Sequence, residues 1–414
     1  MSIGACHQGA IYEGRELSTF IETGRFQSIE QWLAGVQAGV LSAACTFALV
    51  MATVFVDALT TSRLLLVLLP LLLLQMLVSP RLFFCREFAL YLAFVAYLFL
   101  TLLWTPDPVL GMNTLFPAVD FVLIQIILGS LVRFGDARAV LLGSLIGLWM
   151  GAGILTYALG FPFILPRDMS YNAVAAVYLF GLYVALTLAC MTRSKVLLLV
   201  AALFAMAHIV ATTSIKTNLG VLLGAISAVV VYFRESLRVL RRHVLVLLLG
   251  ICAVGYGIVS SNMAIEGLQR GVGRVTLGVN VLQAREDRSG YQGFDERAYW
   301  AHEGLRTWSR NPLFGYGVEA FRADYGITSH SVPIDLLYNT GLIGLVLFYA
   351  MFASFAVRLF KSQASRSLRA LTFAFLVCNV FITLSGTVFY QAFLAAFIAV
   401  GTAVLERPSQ RVAT

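Results

Sequence analysis

Met112 to Val132 reads MNTLFPAVDFVLIQIILGSLV, twenty-one residues with a single charge, Asp120, and with Arg133 and Arg138 following closely. A membrane span needs roughly 20 mostly apolar residues to cross about 30 Å of hydrocarbon. This stretch has that length with almost nothing polar to spare. Working outward, the same pattern recurs at 33–56, 64–78, 88–104, 139–160, 171–191, 196–212, 217–233, 244–260, 332–357, 370–385 and 388–405. The whole chain of 414 residues is 59% hydrophobic and 12% charged, with mean hydropathy +0.85. Soluble domains are about 45–50% apolar and about 25% charged. The composition excludes a soluble enzyme, a secreted disulfide scaffold and a disordered regulator. The expected fold class is an all-α polytopic membrane protein of about twelve transmembrane helices.

Basic residues orient the expected spans. Alternate loops and both tails hold Arg15, Arg25, Arg81, Arg86, Arg133, Arg138, Arg193, Lys195, Arg234, Arg238, Arg241, Arg242, Arg358, Lys361, Arg366, Arg369, Arg407 and Arg411, eighteen in all. The short loops on the other side hold Arg63, Arg167 and Lys216 alone. Positive charge concentrates on the cytoplasmic side of membrane proteins, so both termini are expected there. The net charge of +8 then reflects cytoplasmic loops, and no nucleic acid is implied. Residues 1–31 are polar and the first apolar run is long enough to remain as an anchor, so no cleavable signal peptide is expected. The expected organisation is a cytoplasmic tail over 1–31, nine spans over 32–260, a long outer loop over 261–331, three spans over 332–405 and a second tail over 406–414.

The loop 261–331 is polar and holds eight basic residues, all of them Arg, against eight acidic ones. Planar guanidinium forks suit phosphate and carboxylate better than point charges do, although ordinary surface ion pairs would use them too. The six cysteines fall in spans, in the N-terminal tail or in a cytoplasmic loop, and none lies in the outer loop. Neither a disulfide framework nor a zinc site is implied. There is no P-loop and no dinucleotide fingerprint.

Of five histidines, His7, His243 and His302 read as solvated, and His208 as a partner for a neighbouring helix. His330 differs. It lies in Thr328-Ser329-His330-Ser331-Val332-Pro333, at the seam between loop and span. Pro333 suits the first turn of a helix and Ser331 its N-cap. Upstream, Trp300, Gly304 and Trp308 share one helical face that reads as an interfacial anchor. Asn311 to Gly317 (NPLFGYG) breaks that helix. Ionisable residues within or beside spans are costly and often functional, which singles out Asp120, Lys216 and Asp335. Lys216 starts a span from outside, with snorkelling as its plain alternative. Asp335 follows His330 by five residues and is placed to steer the imidazole or pair with an Arg. Asp120 has no assigned partner. A base, a cation at a helix start and an Arg-rich loop at one membrane face suit a lipid-linked diphosphate substrate. Cations would hold the leaving group while the base takes a proton from an acceptor hydroxyl. A twelve-span transporter or flippase is the alternative, but it would show pseudo-symmetric halves broken at midplane.

Arg297-x-x-Trp300, then Arg310-Asn311-Pro312-Leu313-Phe314-Gly315-Tyr316-Gly317, then His330-Ser331, then Leu336 to Gly344 (LLYNTGLIG) resemble the signature of the O-antigen polymerase and O-antigen ligase family. Lys216 falls where that family has a basic residue at a span start, and Asn172, after Arg167-Asp168, resembles a further polar family position. The resemblance implies an inverting, metal-independent membrane glycosyltransferase without cofactor. Its donor would be a glycan on undecaprenyl diphosphate, displayed at the periplasmic face of the bacterial inner membrane. Its acceptor would be another lipid-linked glycan in a polymerase of O-antigen, capsule or exopolysaccharide, or lipid A-core in a ligase. Lys rather than Arg at 216 leans toward a polymerase, for which a chain-length regulator is a further partner. His330 would be the base, and Lys216 and Arg297 would hold the diphosphate with Arg167 or Arg288 assisting. Asp335 and Tyr338 would support His330.

Overall fold

The computed structural model describes residues 32–51, 58–78, 81–159, 171–212, 215–232, 294–329, 331–384 and 392–406. Every regular element among them is a helix: α1 (Trp32–Met51), α2 (Ala58–Val78), α3 (Arg86–Thr101), α4 (Pro108–Phe134), α5 (Ala137–Leu159), α6 (Tyr171–Thr192), α7 (Lys195–Thr212), α8 (Ile215–Val231), α9 (Phe294–Trp308), α10 (Ala320–Tyr325), α11 (Val332–Lys361), α12 (Arg366–Leu384) and α13 (Ala392–Glu406). Six of these, α1, α4, α5, α6, α11 and α12, contain stretches long and apolar enough to cross a membrane, and α2, α7, α8 and α13 contain shorter apolar ones. The protein is an all-helical polytopic membrane protein. Helices stand where ten of the other expected spans and 112–132 were placed; the span expected at 244–260 lies outside the described residues.

Local chemistry sets the ends. Asp107 caps α4 by accepting from the Leu110 amide at 3.0 Å, and Pro108 follows in the first turn, where its missing N–H costs nothing. The last helix is the most enclosed. From Phe393 to Leu405 every residue of α13 is buried, and the helix packs on α4, α6 and α11. Burial on every side places α13 in the interior of the described helices. On the flank, α1 meets α5 through small residues. A Cβ on Gly143 would collide with the Gly39 carbonyl, and one on Gly147 with that of Ala43. Ser42 and Ser144 share a hydrogen bond of 2.5 Å across this contact. Small residues spaced by four let membrane helices approach closely.

The element that positions the candidate site is α11, and it is broken. Gly341 has φ 66° and ψ −166°, a conformation open to glycine almost alone. The carbonyls of Tyr338 and Asn339, which the break leaves without helical partners, accept from Tyr316 N at 2.9 Å and Gly317 N at 2.7 Å. The amides beyond the break, Leu342 and Ile343, donate to Pro312 O at 2.9 Å and Leu313 O at 3.3 Å. Tyr97 of α3 donates to Thr340 O at 3.0 Å. The segment 312–317 therefore substitutes for the missing helical turn.

Gly341→Ala would impose the strained φ on a residue with a Cβ and drive that Cβ into Leu313 O. The expected cost is about 2–6 kcal/mol, combining backbone strain with overpacking. Thermal unfolding in detergent should show a large drop in Tm.

Candidate functional site

Ser329 and Ser331 are held to one another and to α11. Asp335, in the first turn of α11, is 4% exposed, and its Oδ1 accepts from Ser329 N at 2.9 Å. Ser329 Oγ donates to Ser331 O at 2.9 Å and accepts from Ser331 N at 3.1 Å. Asp335 N also donates to Ser331 O, at 2.9 Å. Ser331 is the N-cap residue of α11, but its hydroxyl makes no capping bond. The carboxylate of Asp335 holds Ser329 instead. Asp335 Oδ2 is buried with no hydrogen-bond partner among the described residues.

Above α11 lies an aromatic cluster. Tyr338 is 2% exposed, and its ring centroid lies 5.1 Å from Tyr316, 5.1 Å from Phe321 and 5.8 Å from Tyr325. Its hydroxyl donates to Asp324 Oδ2 at 2.6 Å. Tyr316 OH in turn donates to Thr307 O of α9 at 2.9 Å. Trp300 packs on Tyr325 at 5.1 Å with its indole N–H buried, and Gly304 of the same face lies against Phe321 and Ile334. One side of this face therefore packs on the aromatic cluster. Trp308 donates from Nε1 to Pro312 O at 3.0 Å, tying α9 to the loop.

Between loop and helix stands Glu319. It has φ 61° and ψ 11°, left-handed backbone in a residue other than glycine. Such a conformation costs of order 1–3 kcal/mol and persists where the surroundings over-determine it. They do here. Val318 N donates to Thr101 Oγ1 at 3.2 Å, Thr105 Oγ1 donates to Val318 O at 2.6 Å, and Phe321 N donates to Asn339 Oδ1 at 2.8 Å. Thr114 Oγ1 of α4 donates to Glu319 Oε1 at 2.7 Å. Burial pushes the Glu319 carboxyl above the usual range, against the lowering effects of the Thr114 bond and of Arg322. The Glu319 and Asp335 carboxylates are close enough to act on one another.

The expected site residues divide by what is described. Asp335 and Tyr338 stand at one end of the bundle, beside the 311–331 loop. His330, Arg167 and Arg288 lie outside the described residues. Lys216, Arg297 and Asn172 have described backbones, each within the first turn of α8, α9 or α6. His208 is 2% exposed and its Nδ1 lies 3.2 Å from Ala175 O on α6, a helix-pairing role. Asp120 is 3% exposed, deep in α4, with neither oxygen hydrogen-bonded among the described residues. Sequence reasoning missed Glu319, Thr114 and Asp324. Their partners are remote in the chain, and no local pattern marks a left-handed glutamate.

Residues 197–349 match the family model described as O-antigen ligase. Over this part of the chain the sequence is similar to that family. The matched region contains Lys216, Arg288, Arg297, His330, Asp335 and Tyr338, and it leaves out Arg167 and Asn172. It also spans the 312–317 segment and the break at Gly341, so the two motif pieces that pair in space belong to one matched unit. A comparison with curated proteins gives no match.

Asp335→Ala should free the Ser329 amide in a buried place, at a cost of about 1–3 kcal/mol. Hydrogen exchange over 329–331 should rise accordingly. Asp335→Asn keeps an acceptor oxygen and should retain most of the protection.

Proposed function

We propose that this protein transfers a glycan from undecaprenyl diphosphate to a sugar hydroxyl at the periplasmic face of the inner membrane. The observation that carries the reading is the O-antigen ligase match over the segment that holds the pinned 329–331 turn. His330 takes the proton from the acceptor hydroxyl as that oxygen attacks the anomeric carbon. Imidazole is the side chain whose ordinary titration leaves it able to accept a proton near pH 7. The bond to undecaprenyl diphosphate breaks as the new glycosidic bond forms, with inversion at the anomeric carbon. Lys216 and Arg297, with Arg167 or Arg288 assisting, balance the charge on the departing diphosphate, and Asn172 adds a polar contact. No metal is needed where cationic side chains supply that charge. Asp335 and Tyr338 act through position, by holding the turn and the loop above it.

The acceptor decides between two forms of this activity. We favour a polymerase of O-antigen, capsule or exopolysaccharide repeat units, working with a chain-length regulator. A ligase that uses lipid A-core is the second reading, favoured by the description of the matched family. Deletion followed by gel analysis of the polysaccharide separates them. A ladder that collapses to single capped repeats identifies a polymerase. Bare lipid A-core with lipid-linked polymer accumulating identifies a ligase.

His330→Ala should lower transfer by about 10²–10⁴ while the protein still inserts and binds the donor. A variant that retains more than about a tenth of the wild-type rate would exclude general-base catalysis by His330. Arg297→Lys keeps the charge and loses the planar fork that binds phosphate through two parallel bonds. Transfer by that variant should fall strongly at normal expression, and near-normal polysaccharide would remove Arg297 from the site.

A further inference from the structure

Glu319 is the residue at this end of the bundle that the transfer chemistry leaves unused. Glycine would occupy its left-handed backbone without strain, yet the chain places there a long side chain with an ionisable end. One oxygen, Oε1, is committed to Thr114 of α4. The other has no hydrogen-bond or ion-pair partner among the described residues. The residue is half-buried, so this oxygen lies where a bound group can reach it. Four segments fix its place: Thr101 and Thr105 at the end of α3, Thr114 on α4, Asn339 on α11 and the start of α10. Asp335, which holds the 329–331 turn, is its electrostatic neighbour. A rigidly held carboxylate with one free oxygen, beside the turn proposed to carry the base, is suited to receive a hydroxyl group.

We propose that Glu319 Oε2 accepts a hydrogen bond from a hydroxyl of the acceptor sugar and so determines how that sugar is held. The proposal rests on the glycosyl-transfer reading and adds to it the acceptor's binding partner. Among the described residues, the charged groups that bear on Glu319 are Arg322 of α10 and Asp335 of α11; its partner Thr114 on α4 is neutral. Burial holds its carboxyl above the ordinary range, so it protonates at a higher pH than an exposed glutamate would. A protonated carboxyl is a weaker acceptor. Wild-type KM for the acceptor should therefore rise as pH falls, beginning above the usual carboxylate range.

The test is steady-state transfer by the full-length protein in nanodiscs, with the lipid-linked glycan as donor and its defined oligosaccharide acceptor, across a pH series. Glu319→Gln keeps an oxygen for Thr114 and loses the charge. Its acceptor KM should rise about tenfold or more, with kcat, donor binding and Tm near wild type and with the acid-side rise in KM gone. Glu319→Gly relieves the left-handed strain, so it should fold with Tm no lower than wild type and show the same rise in acceptor KM. An unchanged acceptor KM in both variants, with wild type active, overturns the proposal. A parallel loss of Tm, donor binding and kcat in both variants marks a structural role and overturns it too. Absence of transfer by the wild-type protein with either acceptor class overturns the transfer reading itself.

Discussion

A helix in hydrocarbon can give up backbone hydrogen bonds only where protein returns them. At Gly341, α11 gives up several, and the 312–317 segment returns them through two amides and two carbonyls. Much of the candidate site depends on this exchange. Because Tyr316 and Gly317 are tied to Tyr338 and Asn339, Val318 and Glu319 are delivered to the ends of α3 and α4, where three threonines receive them. Because α10 follows at once, Phe321 and Tyr325 fall onto Tyr338 and close the aromatic cluster. The loop is thus part of the helical core in its bonding, although its composition is that of a connection.

The other end of α11 is held by charge. Arg358 forms a two-pronged contact with Glu87 of α3, at 3.1 Å from Nε to Oε1 and 2.7 Å from Nη2 to Oε2, and it also pairs with Glu406 of α13. Ser354 adds a bond to Glu87 at 2.9 Å, and Arg133 of α4 reaches Glu406 at 3.7 Å. Glu87 is fully buried. Losing one partner of such a buried pair typically costs about 3–5 kcal/mol, because the other charge is stranded. With its first half stitched to a loop and its far end locked to α3 and α13, α11 presents Asp335 as a fixed reference for Ser329 and Ser331.

What was legible in the chain followed from periodicity and from strong local signals. Apolar run length located α1 to α8 and α11 to α13 to within several residues at each end, whereas α9 was read from its aromatic spacing and α10 was not foreseen. The Asp107-Pro108 start of α4 and the Ser331-Val332-Pro333 start of α11 carry ordinary helix-start chemistry, although the hydroxyl of Ser331 does not cap. NPLFGYG was legible as a break in α9 and, with LLYNTGLIG, as a family signature, which the match over 197–349 supports. That these two pieces hydrogen-bond to one another was not legible, since backbone pairing between segments some twenty-five residues apart leaves no mark in composition. The contacts of the Trp300 face with Tyr325 were not legible either, since an aromatic stripe looks the same whether it meets lipid headgroups or another aromatic cluster.

Sequence alone determined that this chain is a bundle of apolar helices with a polar, arginine-rich segment late in its length, because burial in hydrocarbon demands long apolar runs wherever they stand. It also determined the chemical types available near position 330 and the family they resemble. Tertiary structure alone decided that the final helix lies in the interior of the described helices, that Gly341 interrupts α11, and that Asp335 rather than the Ser331 hydroxyl holds Ser329. It alone decided that Glu319 adopts a strained backbone beside Asp335. Apart from the Asp335–Ser329 contact, which spans six residues, these features depend on partners distant in the chain: Thr114, for example, is 205 residues from Glu319. Local propensity cannot encode such pairings, because each becomes favourable only when packing has already brought the partners out of water together.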